Sequence, residues 1–160
     1  MKAERTLRLQ TREVYQLFER RISDDRLFID AVLHKINSVI WWSRRHDPAA
    51  LKVLHEMEQQ LNTLTQEFAF EMKRYEDLLS KKKEFKDKRI NFGVHFHTKI
   101  TVRNPISMKL AELIEVYDQL IAILKLLRVA RCFETDKAYF IYMKQKQKHT
   151  NQTLSRVFLS

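Results

Sequence analysis

A mainly α-helical fold carrying one distinct β-strand is what this 160-residue sequence predicts. Three observations point to it. Long stretches repeat apolar residues at spacings of three and four, one stretch alternates apolar and polar residues, and a single glycine and two prolines interrupt them.

The opening "MKAERTLRLQTREVYQ" mixes charges of both signs without an apolar segment, so no signal peptide is expected. From about Thr11 to Ile22, Val14, Leu17, Phe18 and Ile22 share one helical face. Asp24 and Asp25 can cap a second helix through Leu27, Phe28, Ala31, Val32, Ile36, Val39 and Ile40. That helix ends in "WWSRRHDP", where Asp47 and Pro48 form a strong start signal for the next. Leu54, Met57, Leu61, Leu64, Phe68, Met72, Tyr75 and Leu79 then define one long amphipathic helix over about 48–85, roughly 50 Å at 1.5 Å per residue. The cationic run "SKKKEFKDKR" closes it, suited to the negative pole of a helix, and reads as a solvated end or, less favoured, a phosphate-contacting patch.

The period then changes to two. Phe92, Val94, Phe96, Thr98, Ile100 and Val102 fall on one face, with Asn91, Gly93, His95, His97, Lys99, Thr101 and Arg103 on the other, as in a strand with one buried and one polar face. Asn104 and Pro105 repeat the cap-then-proline signal. The following helix carries Ile106, Leu110, Leu113, Tyr117, Leu120, Leu124 and Leu127, widened by Ile114 and Ile121, a stripe that needs more than one neighbour to cover it. After a loop at "RCFE", Thr135 can cap a last helix with Ala138, Tyr139, Ile141, Tyr142 and Met143. No internal repeat is evident, and the chain divides into a helical region, 1–90, and a strand-bearing region, 91–160.

Composition narrows the function classes. The net charge is +10 with a pI near 9.8, which favours a polyanion partner, nucleic acid first. One glycine excludes a Walker loop or a dinucleotide-binding turn, which need several. No apolar run reaches the roughly 20 residues of a membrane helix, and no spacing suggests acid-base or nucleophilic chemistry. A non-enzymatic protein of a reducing cytoplasm, with no membrane partner and no cofactor, is expected. The lone Cys132 reads as a buried apolar residue. His95 and His97 share a strand face, but no further ligand completes a metal site.

A strand must pair to satisfy its backbone groups. Within the chain only "TLRLQ", residues 6–10, is a short candidate, so the same strand of a second chain is favoured, forming an antiparallel ribbon in a homodimer. Such a ribbon fits the major groove, where His97, Lys99, Thr101 and Arg103 can all hydrogen-bond to base edges. Phe96, Ile100, Val102, Leu110 and Leu113 would form the dimer core.

The segment Lys99, Ile100, Thr101, Val102, Arg103, Asn104, Pro105 with its helix resembles the ribbon-helix-helix superfamily, which includes Arc- and MetJ-type repressors. That resemblance covers residues 92–145. It implies a ribbon reading bases in the major groove and a second helix aimed at a phosphate, with Thr135, Lys137 and Arg131 as contacts. The first helix is longer than the pattern, and the turn after it lacks a glycine. A longer stretch, "NPISMKLAELIEVYDQLIAILKLLRVARCF", resembles the AcaB-type family of conjugative plasmids and integrating conjugative elements, on Asn104-Pro105, Tyr117-Asp118 and Ala130-Arg131. Membership would imply a transcriptional activator of conjugative transfer genes, nucleoid-associated, with RNA polymerase or another regulator as a further partner.

Two other readings compete. The helix at 48–85 could serve a dimeric scaffold or adaptor of a mobile genetic element, without DNA readout. Trp41, Trp42, Arg44, Arg45 and His46 could stack on single-stranded nucleic acid, although covering the helix junction, with at least one tryptophan packed inside, is favoured. Tyr139, Phe140 and Tyr142 read as core and dimer packing.

Overall fold

The computed structural model describes residues 3–82 and 96–158. Expectations that fall on 83–95, namely the cationic run after Lys82 and the strand residues before Phe96, His95 included, lie outside the described residues. The order is β1 (Ala3–Leu9), α1 (Arg12–Glu19), β2 (Arg21–Ser23), β3 (Arg26–Leu27), α2 (Phe28–Ser43), α3 (Pro48–Ser80), β4 (Phe96–Val102), α4 (Pro105–Val129) and α5 (Asp136–Phe158). Helices dominate, as the apolar spacing predicts.

The strand β4 has a partner in its own chain. It pairs antiparallel with β1 along all seven residues, from Ala3↔Val102 through Thr6↔Lys99 to Leu9↔Phe96. The intermolecular ribbon expected from sequence therefore gives way to an intrachain one, because the short "TLRLQ" candidate extends through Ala3, Glu4 and Arg5. The residues expected in a dimer core are enclosed by the chain itself. Ile100, Val102, Leu110 and Leu113 are buried, and the half-buried Phe96 stacks on Tyr15 of α1 at 5.1 Å between ring centroids.

The second short sheet, β2 with β3, was not anticipated. Asp24 and Asp25 lie in its turn instead of capping α2: Ser23 Oγ donates to Asp25 Oδ1 at 2.9 Å and Arg21 Nη1 to the Asp24 carbonyl at 2.6 Å. The residue before α2 is Leu27, whose side chain can offer no cap. The other start signals hold. Asp47 Oδ1 accepts from the amides of Ala49 and Ala50, and Thr135 Oγ1 accepts from that of Ala138. Asn104 Oδ1 accepts from the Ser107 amide at 2.8 Å while Ser107 Oγ accepts from the Asn104 amide at 3.2 Å, a reciprocal box that fixes where β4 stops. Asn104 Nδ2 also donates to Asn37 Oδ1, tying this junction to α2.

The missing glycine after α4 has a direct replacement. Arg131 adopts φ 58°, the left-handed conformation, with its amide bonded to the Arg128 carbonyl and that of Cys132 to the Leu127 carbonyl. This is the helix-ending geometry that glycine usually supplies. A left-handed L-residue costs roughly 1–2 kcal/mol, partly offset by glycine's looser unfolded chain. Arg131→Gly should accordingly raise stability by about 0.5–1 kcal/mol in urea denaturation.

One cluster of buried side chains draws on β1, α1, α2 and α3 as well as β4, α4 and α5. The helix α3 lies against α4, and α5 returns over α2, α3 and α4. Several cations are committed to this packing: Lys125 pairs with Glu13 at 2.7 Å, Lys109 with Glu58 at 3.1 Å and Lys146 with Glu71 at 2.6 Å. These three lysines are engaged within the fold.

Candidate nucleic-acid interface

Alternation along the β1–β4 ribbon sorts its side chains into two sets. The inner set, Leu7 and Leu9 with Ile100 and Val102, is buried. Arg5, also inward, is pinned to α4: its Nη2 donates to both carboxylate oxygens of Glu115 at 2.8 and 2.9 Å, and Nη1 reaches Met108 Sδ. The outer set pairs Glu4 with Thr101, Thr6 with Lys99 and Arg8 with His97.

The ribbon is held rigidly from beneath. Asp118 of α4 is buried, and its carboxylate accepts three hydrogen bonds from the β1–α1 junction: from the Gln10 amide at 2.9 Å, the Thr11 amide at 3.0 Å and Thr11 Oγ1 at 2.7 Å. Burial pushes the Asp118 carboxyl upward, while the bonds from Gln10 and Thr11 and the charge of Lys125 pull it down in part. With Arg5 on Glu115 and Met108, this fastens β1 along the first half of α4. An acid inside an otherwise apolar helical stripe was the sequence signal for this anchor.

Of the expected base-reading residues, His97 and Lys99 project outward from β4 and are exposed, and Thr101 is half-buried. Lys99 Nζ lies 3.8 Å from Glu4 Oε2, both side chains mostly in solvent. Such a pair contributes little and opens readily. Arg103 follows the last strand residue and lines a groove of about 220 Å³ with Asn37, Ile40, Trp41, Arg44 and Asn104. Sequence reasoning missed the other half of the outer face, Glu4, Thr6 and Arg8. Arg8 forms no ion pair among the described residues.

Arg131, Thr135 and Lys137 are exposed together on the α4–α5 turn. They sit beyond the ribbon, since α4 continues from Asp118 to Val129 for about 17 Å. Thr135 Oγ1 is occupied by the Ala138 amide, and Asp136 beside it pairs with Arg128 at 3.2 Å.

Three further expectations change. Trp41 and Trp42 meet edge to face at 4.8 Å, but neither packs inside, at 49% and 50% exposed; Arg45 lies over the Trp41 ring. Tyr139 is buried, whereas Phe140 and Tyr142 are exposed over somewhat less than half of their surface. Cys132 is half-buried against the core rim. Among the described residues no group of three or more His, Cys, Asp or Glu could hold a metal, and no helix is long and apolar enough to cross a membrane.

These features define a mainly α-helical chain with a small antiparallel ribbon backed by helices. Among solved structures it is similar to selenomethionine-containing AcaB from uropathogenic E. coli, with a TM-score of 0.67 over 98% of this chain and 77% of that one. Sequence identity is 14%, so the likeness is one of fold. No protein-family model and no curated protein matches the chain.

Proposed function

We propose that this chain is a non-enzymatic, sequence-specific double-stranded DNA-binding transcriptional regulator that inserts its β-ribbon into the major groove. The observation that carries the proposal is the ribbon itself: one face sealed into the core, the other offering His97, Lys99 and Thr101 at alternate positions. A two-stranded ribbon fits that groove, lysine can address guanine O6 and N7, and threonine can bond to a base or touch the thymine methyl. Arg103 extends the surface past the strand. Arg131, Thr135 and Lys137 are proposed contacts to flanking phosphates, which position the protein without reading sequence. The AcaB-like fold, together with the resemblance in residues 104–133, supports an activator of conjugative transfer genes acting at the bacterial nucleoid, with RNA polymerase or another regulator as partner.

Gel shifts over a promoter library at several salt concentrations test this. Specific complexes that weaken with salt are expected, and indifference to duplex at low salt would sink the proposal. Lys99→Ala or Arg103→Ala should cost about 1–3 kcal/mol of specific binding and relax base preference. Arg131→Gly, expected to stabilise the fold, should weaken all duplexes alike and lower the salt slope by about one.

The scaffold reading draws on Phe70, which α3 leaves 67% exposed. Under it, Lys99→Ala would be silent in every DNA assay while Phe70→Ala abolished capture of a protein partner.

A further inference from the structure

The register of the ribbon exposes a repeat that the bare sequence hides. Both strands have seven residues, and the middle residue of β1, Thr6, pairs with the middle residue of β4, Lys99. A two-fold axis through that pair exchanges the strands. It superposes "TLRLQTR" (6–12) on "KITVRNP" (99–105) residue for residue. The match extends to structure. Leu7 and Leu9 fall on Ile100 and Val102, all buried, and Thr11 falls on Asn104, each the extended residue before a helix. One turn on, the buried Val14 and Leu17 fall on the buried Ser107 and Leu110.

The order and packing of the helices follow a similar plan. β1 leads into α1, the β2–β3 hairpin and then α2, and β4 into the longer α4 and then α5; α1 packs on α4 as α2 packs on α5, while the hairpin has no counterpart among the described residues of the second half. The long α3 joins the two halves. Tyr15 of α1 stacks beneath Phe96 of β4, and Asp118 of α4 holds the end of β1, so each half supports the strand of the other.

We propose that the chain is a duplicated strand-helix-helix unit folded on itself, so that one chain presents a complete two-stranded ribbon in which Thr6 and Arg8 of β1 read base edges beside His97, Lys99 and Thr101 of β4. This rests on the DNA-binding function proposed above and deepens it. Two identical strands would read a palindrome. Here the outer residues differ, since the axis superposes Glu4 on His97, Thr6 on Lys99 and Arg8 on Thr101, so the site read by one ribbon lacks two-fold symmetry. Arginine offers a fork matched to guanine and glutamate an acceptor for the cytosine amine.

The test is selection of preferred duplexes from a random library by the full-length chain, followed by titration of wild type, Arg8→Ala and Lys99→Ala against the selected site. Both substitutions are on exposed side chains, and circular dichroism confirms the fold. The expected result is a non-palindromic site bound by one chain, with each variant weakened roughly 5- to 150-fold and relaxed at different base positions. If Lys99→Ala weakens binding while Arg8→Ala matches wild type in affinity and preference, the inference is overturned and DNA reading by β4 stands. A wild-type chain that ignores duplex DNA overturns both.

Discussion

Replacing Asp118 with alanine is expected to lower the stability of the protein by about 3–5 kcal/mol, a large share of the 5–15 kcal/mol typical of a domain. The substitution strands three donors at once, the amides of Gln10 and Thr11 and the Thr11 hydroxyl, two of them fully out of water. Each unpaired buried donor costs about 1–3 kcal/mol, and partial access of water at Gln10 keeps the sum below the simple total. Urea denaturation followed by circular dichroism measures it, and a loss under 1 kcal/mol would show that the β1–α1 junction does not depend on this carboxylate. Because burial raises the Asp118 carboxyl, the folded chain holds that proton more tightly than the unfolded one. The proton-linked part of the group's contribution is full below the unfolded value of about 3.9 and is lost as pH rises through the raised folded value, leaving the part that comes from the three hydrogen bonds. The stability gap between wild type and Asp118→Asn should therefore narrow from acid towards neutral pH. The consequence for function is direct, since β1 supplies half of the ribbon and Asp118 holds the junction at its end.

How far the fold could be read from the sequence depended on how much of each element's pattern was local. The long helices were legible because their apolar stripes repeat over many turns and their starts carry side-chain caps that act within three residues, as at Asp47, Asn104 and Thr135. The strand β4 was legible because its alternation is long. Its partner was not, because only Leu7 and Leu9 of β1 are buried and Arg5, an inward position, is charged. That charge is satisfied by Glu115, far away in sequence, which no local pattern reveals. The same holds for Asp118, whose partners are more than a hundred residues away. The expected face of His97, Lys99 and Thr101 emerged from β4 alone, whereas Thr6 and Arg8 became visible only with the register.

Phe68→Ala should cost about 3–5 kcal/mol, whereas Phe70→Ala, two residues along the same helix, should stay within about 0.5 kcal/mol of wild type. Two residues of helix turn the side chain by roughly 200°, from the packed side of α3 to its outer side. Phe68 is 1% exposed and stacks on Tyr117 of α4, with ring centroids 5.6 Å apart, while the His149 ring of α5 meets it edge-on at 6.4 Å. Removing it opens a cavity where three helices meet, and the aromatic pairing adds about 0.5–1.5 kcal/mol to the area lost. Phe70 is in solvent and has no such packing to lose. Urea midpoints of the two variants at equal protein concentration give the comparison. Duplex affinity of the folded fraction should be unchanged in both, because neither residue reaches the ribbon. Should Phe70→Ala cost as much as Phe68→Ala, Phe70 would have to be buried in solution. The mass of the wild-type protein would then show whether a second copy lies on α3.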